Sequence, residues 1–211
     1  MVFLGPPGSG KGTQAVRLAA AKEMVHLSTG EFLREAVKAG TELGRKIEEH
    51  INRGELIPDD LIIDLIENKV AGGEFSGGVI LDGFPRTIPQ AKSLKKMLAK
   101  NEIGLDRAIL FAVSDEEIVK RLSGRWYCPQ CNAGYNYPVA VPKTEGICDH
   151  DGVTLKRRPD DEEAVVRNRL DIYKEQTRPI EDFYRTESIL TEIVAEDSPD
   201  NIFARLMEAV C

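Results

Sequence analysis

The 211-residue sequence predicts an α/β fold: a doubly wound parallel sheet with a phosphate loop, plus a helical insertion and a small metal-stapled insertion. Three observations lead there. Short unbroken apolar runs occur at residues 2–4, 79–81 and 108–113, with a weaker one at 189–194. Such runs suit parallel strands covered on both faces, and the helical spacing between them gives the alternation of a wound sheet. A glycine-rich segment carrying Lys11 joins the first run to the first helical stretch.

Composition sets the bounds. A chain of this length, 42% hydrophobic, can build one sizeable core with smaller attached pieces. A net charge of −7 argues against a nucleic-acid partner, which usually demands a basic face. No apolar run reaches the eighteen residues of a membrane span. MVFLGPPG runs straight into a motif without space for a secretory leader, so a cytoplasmic protein is expected, and nothing demands more than a monomer.

The segment Gly5-Pro-Pro-Gly8-Ser9-Gly10-Lys11-Gly12-Thr13 follows the first strand and opens a helical run over 14–22. Glycines let backbone N–H groups turn inward toward phosphate oxygens, and a helix N-terminus adds positive potential. Lys11 supplies a point charge for the β and γ oxygens. The strict motif places Ser or Thr directly after the Lys; here Gly12 intervenes, which weakens Thr13 as a direct Mg²⁺ ligand.

Residues 28–57 read as a charged, strand-free helical insertion, opening at Ser28-Thr29-Gly30-Glu31 with a hydroxyl cap and an acid in the first turn. After the second apolar run, Asp82-Gly83-Phe84-Pro85-Arg86 sits at the C-terminal end of a strand, where ligands bind in open α/β sheets. Gly83 permits close backbone approach, Arg86 can fork onto a phosphate, and Asp82 would act near Mg²⁺ through water. Leu94, Met97 and Leu98 share a helix face after Pro89, as do Ile118, Val119 and Leu122 after Ser114-Asp115. Gln90 reads, on its chemistry alone, as an exposed helix residue. Arg121 and Arg125 lie four apart on one face, whereas Arg167 and Arg169, two apart, point differently.

Residues 125–161 break the pattern, being rich in Cys, Pro, Gly, Asn and Tyr. Cys128-Pro-Gln-Cys131, sixteen residues, then Cys148-Asp-His-Asp151 gives two ligand pairs at knuckle spacing. Zinc fits this set, and four protein ligands would leave no open position, making the metal structural. Spacing favours Asp151 as the fourth ligand, with His150 as its rival. Cys211 has no partner nearby and takes no role.

GPPGSGKGTQ at 5–14, HLSTGEFLR at 26–34, LDGFPRT at 81–87 and RPDD at 158–161 together resemble the adenylate kinases, in the family's order and over essentially the whole chain. The resemblance implies a core of residues 1–27, 58–124 and 162–211, an AMP-binding insertion at 28–57 and a lid at 125–161. It implies ATP contacts from Gly8, Ser9, Gly10, Lys11, Gly12 and Thr13, from Arg125 near the adenine, from Gly134 and Tyr135, and from the backbone at Ser198. AMP would meet Thr29, Arg34, Glu55, Leu56, Ile57, Gly83, Phe84, Pro85, Arg86 and Gln90, with Arg158 and Arg169. Related uridylate and cytidylate kinases tend to carry Ala where Thr29 stands, so Thr29 favours AMP. Many relatives have Arg where Trp126 stands.

The implied reaction moves the γ-phosphoryl group of ATP onto AMP, giving two ADP, with Mg²⁺ on the ATP. Such transfer asks for cations and positioning more than covalent chemistry. Lys11, Arg86, Arg121, Arg158 and Arg169 are the catalytic set implied. AMP's phosphate is already anionic, so no base is needed, and His26, His50 and His150 receive structural or surface roles. A kinase for another monophosphate, a zinc-ribbon nucleic-acid binder and an idle nucleotide sensor stand as rivals.

Overall fold

A computed structural model describes residues 1–73 and 77–210; Cys211 lies outside them. Five parallel strands form one sheet: β1 (Val2–Leu4), β2 (Val25–Ser28), β3 (Val79–Asp82), β4 (Ala108–Ala112) and β7 (Leu190–Val194), in the order β2-β3-β1-β4-β7. Strand β1 pairs with β3 (Val2 opposite Leu81) and with β4 (Val2 opposite Ala108), so the phosphate loop leaves the centre of the sheet.

Alternate residues of each strand face opposite layers. Val2, Leu4, Leu81, Ala108 and Leu110 join one core with α4 (Asp59–Ala71), α5 (Ile88–Lys100) and α8 (Pro179–Thr186), through Ile66, Leu94 and Tyr184. Phe3, Ile80, Ile109 and Phe111 face the other way, onto Leu18 of α1 (Lys11–Lys22) and Leu206 of α9 (Pro199–Val210). Each fully covered Leu, Ile or Phe adds about 1.5–3 kcal/mol of transfer free energy. The unbroken apolar runs in the sequence follow from this coverage on both faces.

Strand β2 departs from the expectation. Its sequence, Val-His-Leu-Ser, is no apolar run, because an edge strand is covered only in part: Val25 is exposed while Leu27 is buried. The strand runs to Ser28, so the helical insertion starts at the sheet's edge, one residue later than expected.

That insertion is a hairpin of α2 (Thr29–Lys38) and α3 (Glu42–Arg53). Thr41 caps α3 by accepting from Gly44 N at 3.0 Å. The helices touch where Gly44 lies under Ala36; a Cβ there would stand 2.3 Å from the Ala36 carbonyl oxygen. Gly54 ends α3 at φ 70, and a Cβ would meet Arg169 Cγ at 2.7 Å. Arg169 belongs to α7 (Glu163–Ile172), whose Asn168 also donates to Arg53 O at 2.7 Å. α7 leads into a π-helical turn at Tyr173–Thr177.

After α6 (Asp115–Ser123) comes a two-stranded antiparallel piece, β5 (Arg125–Tyr127) and β6 (Gly134–Asn136), with Trp126 opposite Tyr135. Its buried core is only Cys128, Tyr135, Cys148 and Leu155. Cores this small are commonly reinforced by disulfides or metals.

Candidate active site

The phosphate loop is folded tightly at the end of β1. Gly5 has φ 136, and a Cβ there would lie 2.7 Å from Phe111 O, so no side chain fits. Lys11 Nζ donates to Gly5 O at 2.7 Å, Pro6 O at 2.8 Å and Ser9 Oγ at 3.2 Å. Gly8 and Gly10 have positive φ, and Gly10 precedes α1. Thr13 is exposed. The structure supplies a reason for the unusual Gly12: a Cβ would already stand 3.2 Å from Asp82 Oδ2. A larger side chain would crowd the carboxylate beside the loop.

Asp82 ends β3, with His26 Nε2 of β2 3.4 Å from its Oδ2. Burial opposes ionisation of Asp82, but His26, Lys11 and Arg86 outweigh it and hold its carboxyl below the usual range. At Gly83 (φ 83) the chain turns under Thr29, where a Cβ would sit 2.7 Å from Thr29 Oγ1. Thr29 in turn donates to Asp82 O at 3.3 Å. Arg86 Nε donates to Gly83 O at 2.8 Å. Phe84 and Pro85 are buried beneath this turn.

Gln90 is not exposed: it is 2% accessible, and both ends of its amide are occupied. Oε1 accepts from Arg86 N at 2.7 Å, and Nε2 donates to Asp59 Oδ1 at 2.7 Å. Thr87 Oγ1 reaches the other Asp59 oxygen at 2.8 Å. Helical spacing gave no sign of this, because the partner lies at the start of another helix.

The cations come from six separate segments. Burial pushes the Lys11 ammonium down to about 8; Asp82 opposes this, while Arg86, Arg169 and Arg125 add to it. Arg86 is lowered by burial and then by Arg169, with Arg34 contributing. Arg158 is pushed down to about 10, by burial first and then by Arg125 and Arg34. Arg169 is lowered by burial and by Arg125, against the pull of Asp160. Lys11, Arg34, Arg86, Arg125, Arg158 and Arg169 therefore share one electrostatic neighbourhood.

Two acids organise it, and the sequence reading gave them no role although it quoted their motif. Asp160 accepts from Arg169 Nη1 at 2.8 Å. Asp161, its side chain fully covered, takes both Nε and Nη2 of Arg125, the former at 2.7 Å. Adjacent carboxylates beside an Arg-Pro step were the available signal. Six cations face three carboxylates, Asp82, Asp160 and Asp161, leaving positive charge unmatched. Arg158 Nε is buried without a hydrogen-bond partner, its guanidinium 5.3 Å from the centre of the Tyr127 ring. A buried donor left unpaired among excess positive charge suits an anion.

Other expected residues sit apart from this cluster. Arg121, expected at the transferring group, gives Nε to Glu117 at 2.8 Å and Nη2 to Ala195 O at 2.8 Å. Arg125, expected near the adenine, lies within the cluster and holds Asp161. Ser198 is exposed beyond β7, its Oγ accepting from Asn201 N at 3.3 Å. Glu55 pairs with His50 and Arg53 at 2.9 and 3.2 Å, Leu56 is half-buried and Ile57 buried. Gly134 faces open space. Tyr135, expected beside the nucleotide, turns its side chain into the small piece's core. An alternating strand must send one of its faces inward, and that core has few other side chains to fill it.

The knuckles meet as the spacing implied. Ligand atoms of Cys128, Cys131, Cys148 and Asp151 all lie within 4.8 Å of one another. Asp151 oxygens approach Cys128 Sγ at 3.1 and 3.3 Å, and Cys131 Sγ is 3.5 Å from Cys148 Sγ. Gln130 N and His150 N donate to Cys128 and Cys148 sulfurs at 3.4 and 3.5 Å. His150 is exposed, and its ring is not part of the cluster. Three sulfurs and one carboxylate with no fifth group are compatible with a closed zinc site. Among the described residues no helix is long and apolar enough to cross a membrane.

Comparison with known proteins agrees with this geometry. The family model described as adenylate kinase matches residues 3–189. The adenylate kinase of Carboxydothermus hydrogenoformans is 42% identical over 210 residues, covering 100% of this chain and 98% of the relative. That of Lachnospira eligens is 43% identical over 208 residues, covering 99% and 98%. That of Methanocella arvoryzae is 43% identical over 209 residues, covering 99% and 97%. With a phosphate loop at the sheet's centre, a cation cluster beside it and likeness along its whole length, the chain belongs to the adenylate kinase family.

Proposed function

We propose that this enzyme transfers the γ-phosphoryl group of ATP to AMP in line, giving two ADP, with the piece at 125–161 closing over the reacting groups. The observation that carries this reading is the buried, unpartnered Nε of Arg158 inside a cluster of excess cations. ATP would lie on the loop at 8–13 with Arg125, and AMP on Thr29, Arg34 and the turn at 83–86. Lys11, Arg86, Arg158 and Arg169 would neutralise charge that accumulates on the transferring oxygens. Mg²⁺ bound with ATP would supply further neutralisation there. Asp82, kept ionised beside Gly12, would hold that ion's water shell.

Thr29, where related uridylate and cytidylate kinases tend to carry Ala, would favour AMP among the monophosphates. Arg125 on β5 and Arg158 beside it tie the small piece to the site, so its closure would exclude water and complete the cation set. The closed ligand set would make zinc a structural element of that lid. A soluble cytoplasmic monomer suits this reading. The test supplies ATP and Mg²⁺ with AMP, CMP, UMP or GMP and measures ADP formation. Conversion of AMP at least tenfold faster than the others is expected; faster use of another monophosphate, or none of AMP, overturns it.

A further inference from the structure

Tyr135 has a place the phosphotransfer reading does not use. The residue is 8% accessible within the lid's small core, and its hydroxyl makes two contacts at once. It accepts from Asp149 N at 2.7 Å and donates to Cys148 Sγ at 3.5 Å. Both partners belong to the second knuckle, whereas Tyr135 stands on β6, which follows directly from the first. Within the second knuckle, His150 N also donates to Cys148 Sγ at 3.5 Å. Cys148 thus has backbone donors from its own knuckle and one hydroxyl donor from across the piece.

We infer that Tyr135 is a positioning residue for the metal, its hydroxyl fixing the Cys148 sulfur and the Asp149 amide so that the two knuckles meet at tetrahedral spacing. The inference rests on the metal reading of the Cys128, Cys131, Cys148 and Asp151 set. A metal-bound sulfur carries negative charge, so a hydroxyl donor aimed at it strengthens on metal binding. Donors behind a ligand orient it and retain the metal, and losing one typically costs 10–100-fold in affinity. Among the described residues the first knuckle shows no such hydroxyl donor: Cys128 receives the Gln130 amide and lies against Asp151, and Cys131 receives the Ala133 amide. Exposed Cys131 lies against Cys148, so a displaced Cys148 would disturb its neighbour too. Through the pairing of Tyr135 with Trp126, the same hydroxyl anchors the hairpin that carries Arg125.

The experiment compares the metal-loaded wild type with Tyr135→Phe, which keeps the ring and its packing. Tyr137→Phe is the control, since Tyr137 Oη accepts only from Gly146 N at 3.2 Å and touches no cysteine. Zinc release to a colorimetric chelator should run about 10–100-fold faster in Tyr135→Phe and at the wild-type rate in the control. Cobalt(II)-substituted protein should show its sulfur-to-cobalt charge-transfer band displaced in Tyr135→Phe alone. Equal release rates and an unmoved band in a zinc-loaded wild type would overturn the role of Tyr135 while leaving the metal site standing. A wild type that carries no zinc would remove the site and the inference together.

Discussion

Asp59 and Gln90, thirty-one positions apart, are joined by a hydrogen bond of 2.7 Å from Gln90 Nε2 to Asp59 Oδ1. The other end of the same amide holds Arg86 N at 2.7 Å. The turn that presents Arg86 to the cation cluster is therefore fixed from α4 through α5. Gln90→Leu keeps the side chain's bulk, strands Arg86 N and removes Asp59's amide partner. Unsatisfied buried groups cost about 1–3 kcal/mol each. KM for AMP should rise roughly tenfold or more with KM for ATP little changed, since 1.4 kcal/mol is a factor of ten. Steady-state kinetics with each nucleotide varied in turn checks the split.

Arg158→Lys keeps the charge but loses the planar fork and the unpartnered Nε. Its kcat should fall by about 10²-fold, and that of Arg158→Ala further, toward 10⁵-fold. Thermal melting of Arg158→Ala without ligand should stay near wild type, because removing a buried guanidinium relieves repulsion from Arg125 and Arg34.

Lys11 gives the pH prediction. Its ammonium is lowered from 10.5 to about 8 in the folded chain. Below pH 8 both folded and unfolded chains hold the proton, and the cost of burying it is present in full. Between about pH 8 and 10.5 only the unfolded chain holds it, so this group's contribution to stability becomes more favourable as pH rises. A polyphosphate beside Lys11 should return its affinity for the proton. Binding of ADP at pH 9 should then take up a fraction of a proton, approaching one, and almost none at pH 7. Calorimetry in buffers of different ionisation enthalpy reads the uptake directly; equal uptake at both pH values would refute it.

Metal removal should act locally. The chain has a single tryptophan, Trp126. It sits on β5 against Tyr137, ring centres 6.2 Å apart. A chelator should therefore shift the protein's tryptophan emission to the red while far-UV circular dichroism, dominated by the main helices, barely changes. Activity should drop by about 10²-fold, because Arg125 and Arg158 lose their support. Zinc added back should restore both signals.

What the sequence disclosed was mainly what is local in the chain. The glycine-rich loop, the knuckles and the covered strands each carry their chemistry within a few residues. Strand β2 escaped because a half-covered edge has no need of an apolar run, and His26 in its middle serves Asp82 instead. Gln90 read as exposed because its partner, Asp59, begins another helix. Asp160 and Asp161 were visible as letters, but their partners Arg169 and Arg125 are set by tertiary packing. The placements of Arg121 and Arg125 turned on which carbonyl or carboxylate lay within reach, and helical spacing carries no such information.

At position 54 the missing side chain has a mechanical result. The aliphatic stem of Arg169 lies against bare backbone at the point where the α2–α3 hairpin rejoins the body of the enzyme. The same side chain grips Asp160 at its far end. Hairpin and guanidinium thus share a point of contact, and a swing of the first would lean on the second. Tracking Arg169 side-chain order by relaxation as AMP alone is added would register that leverage before ATP ever arrives.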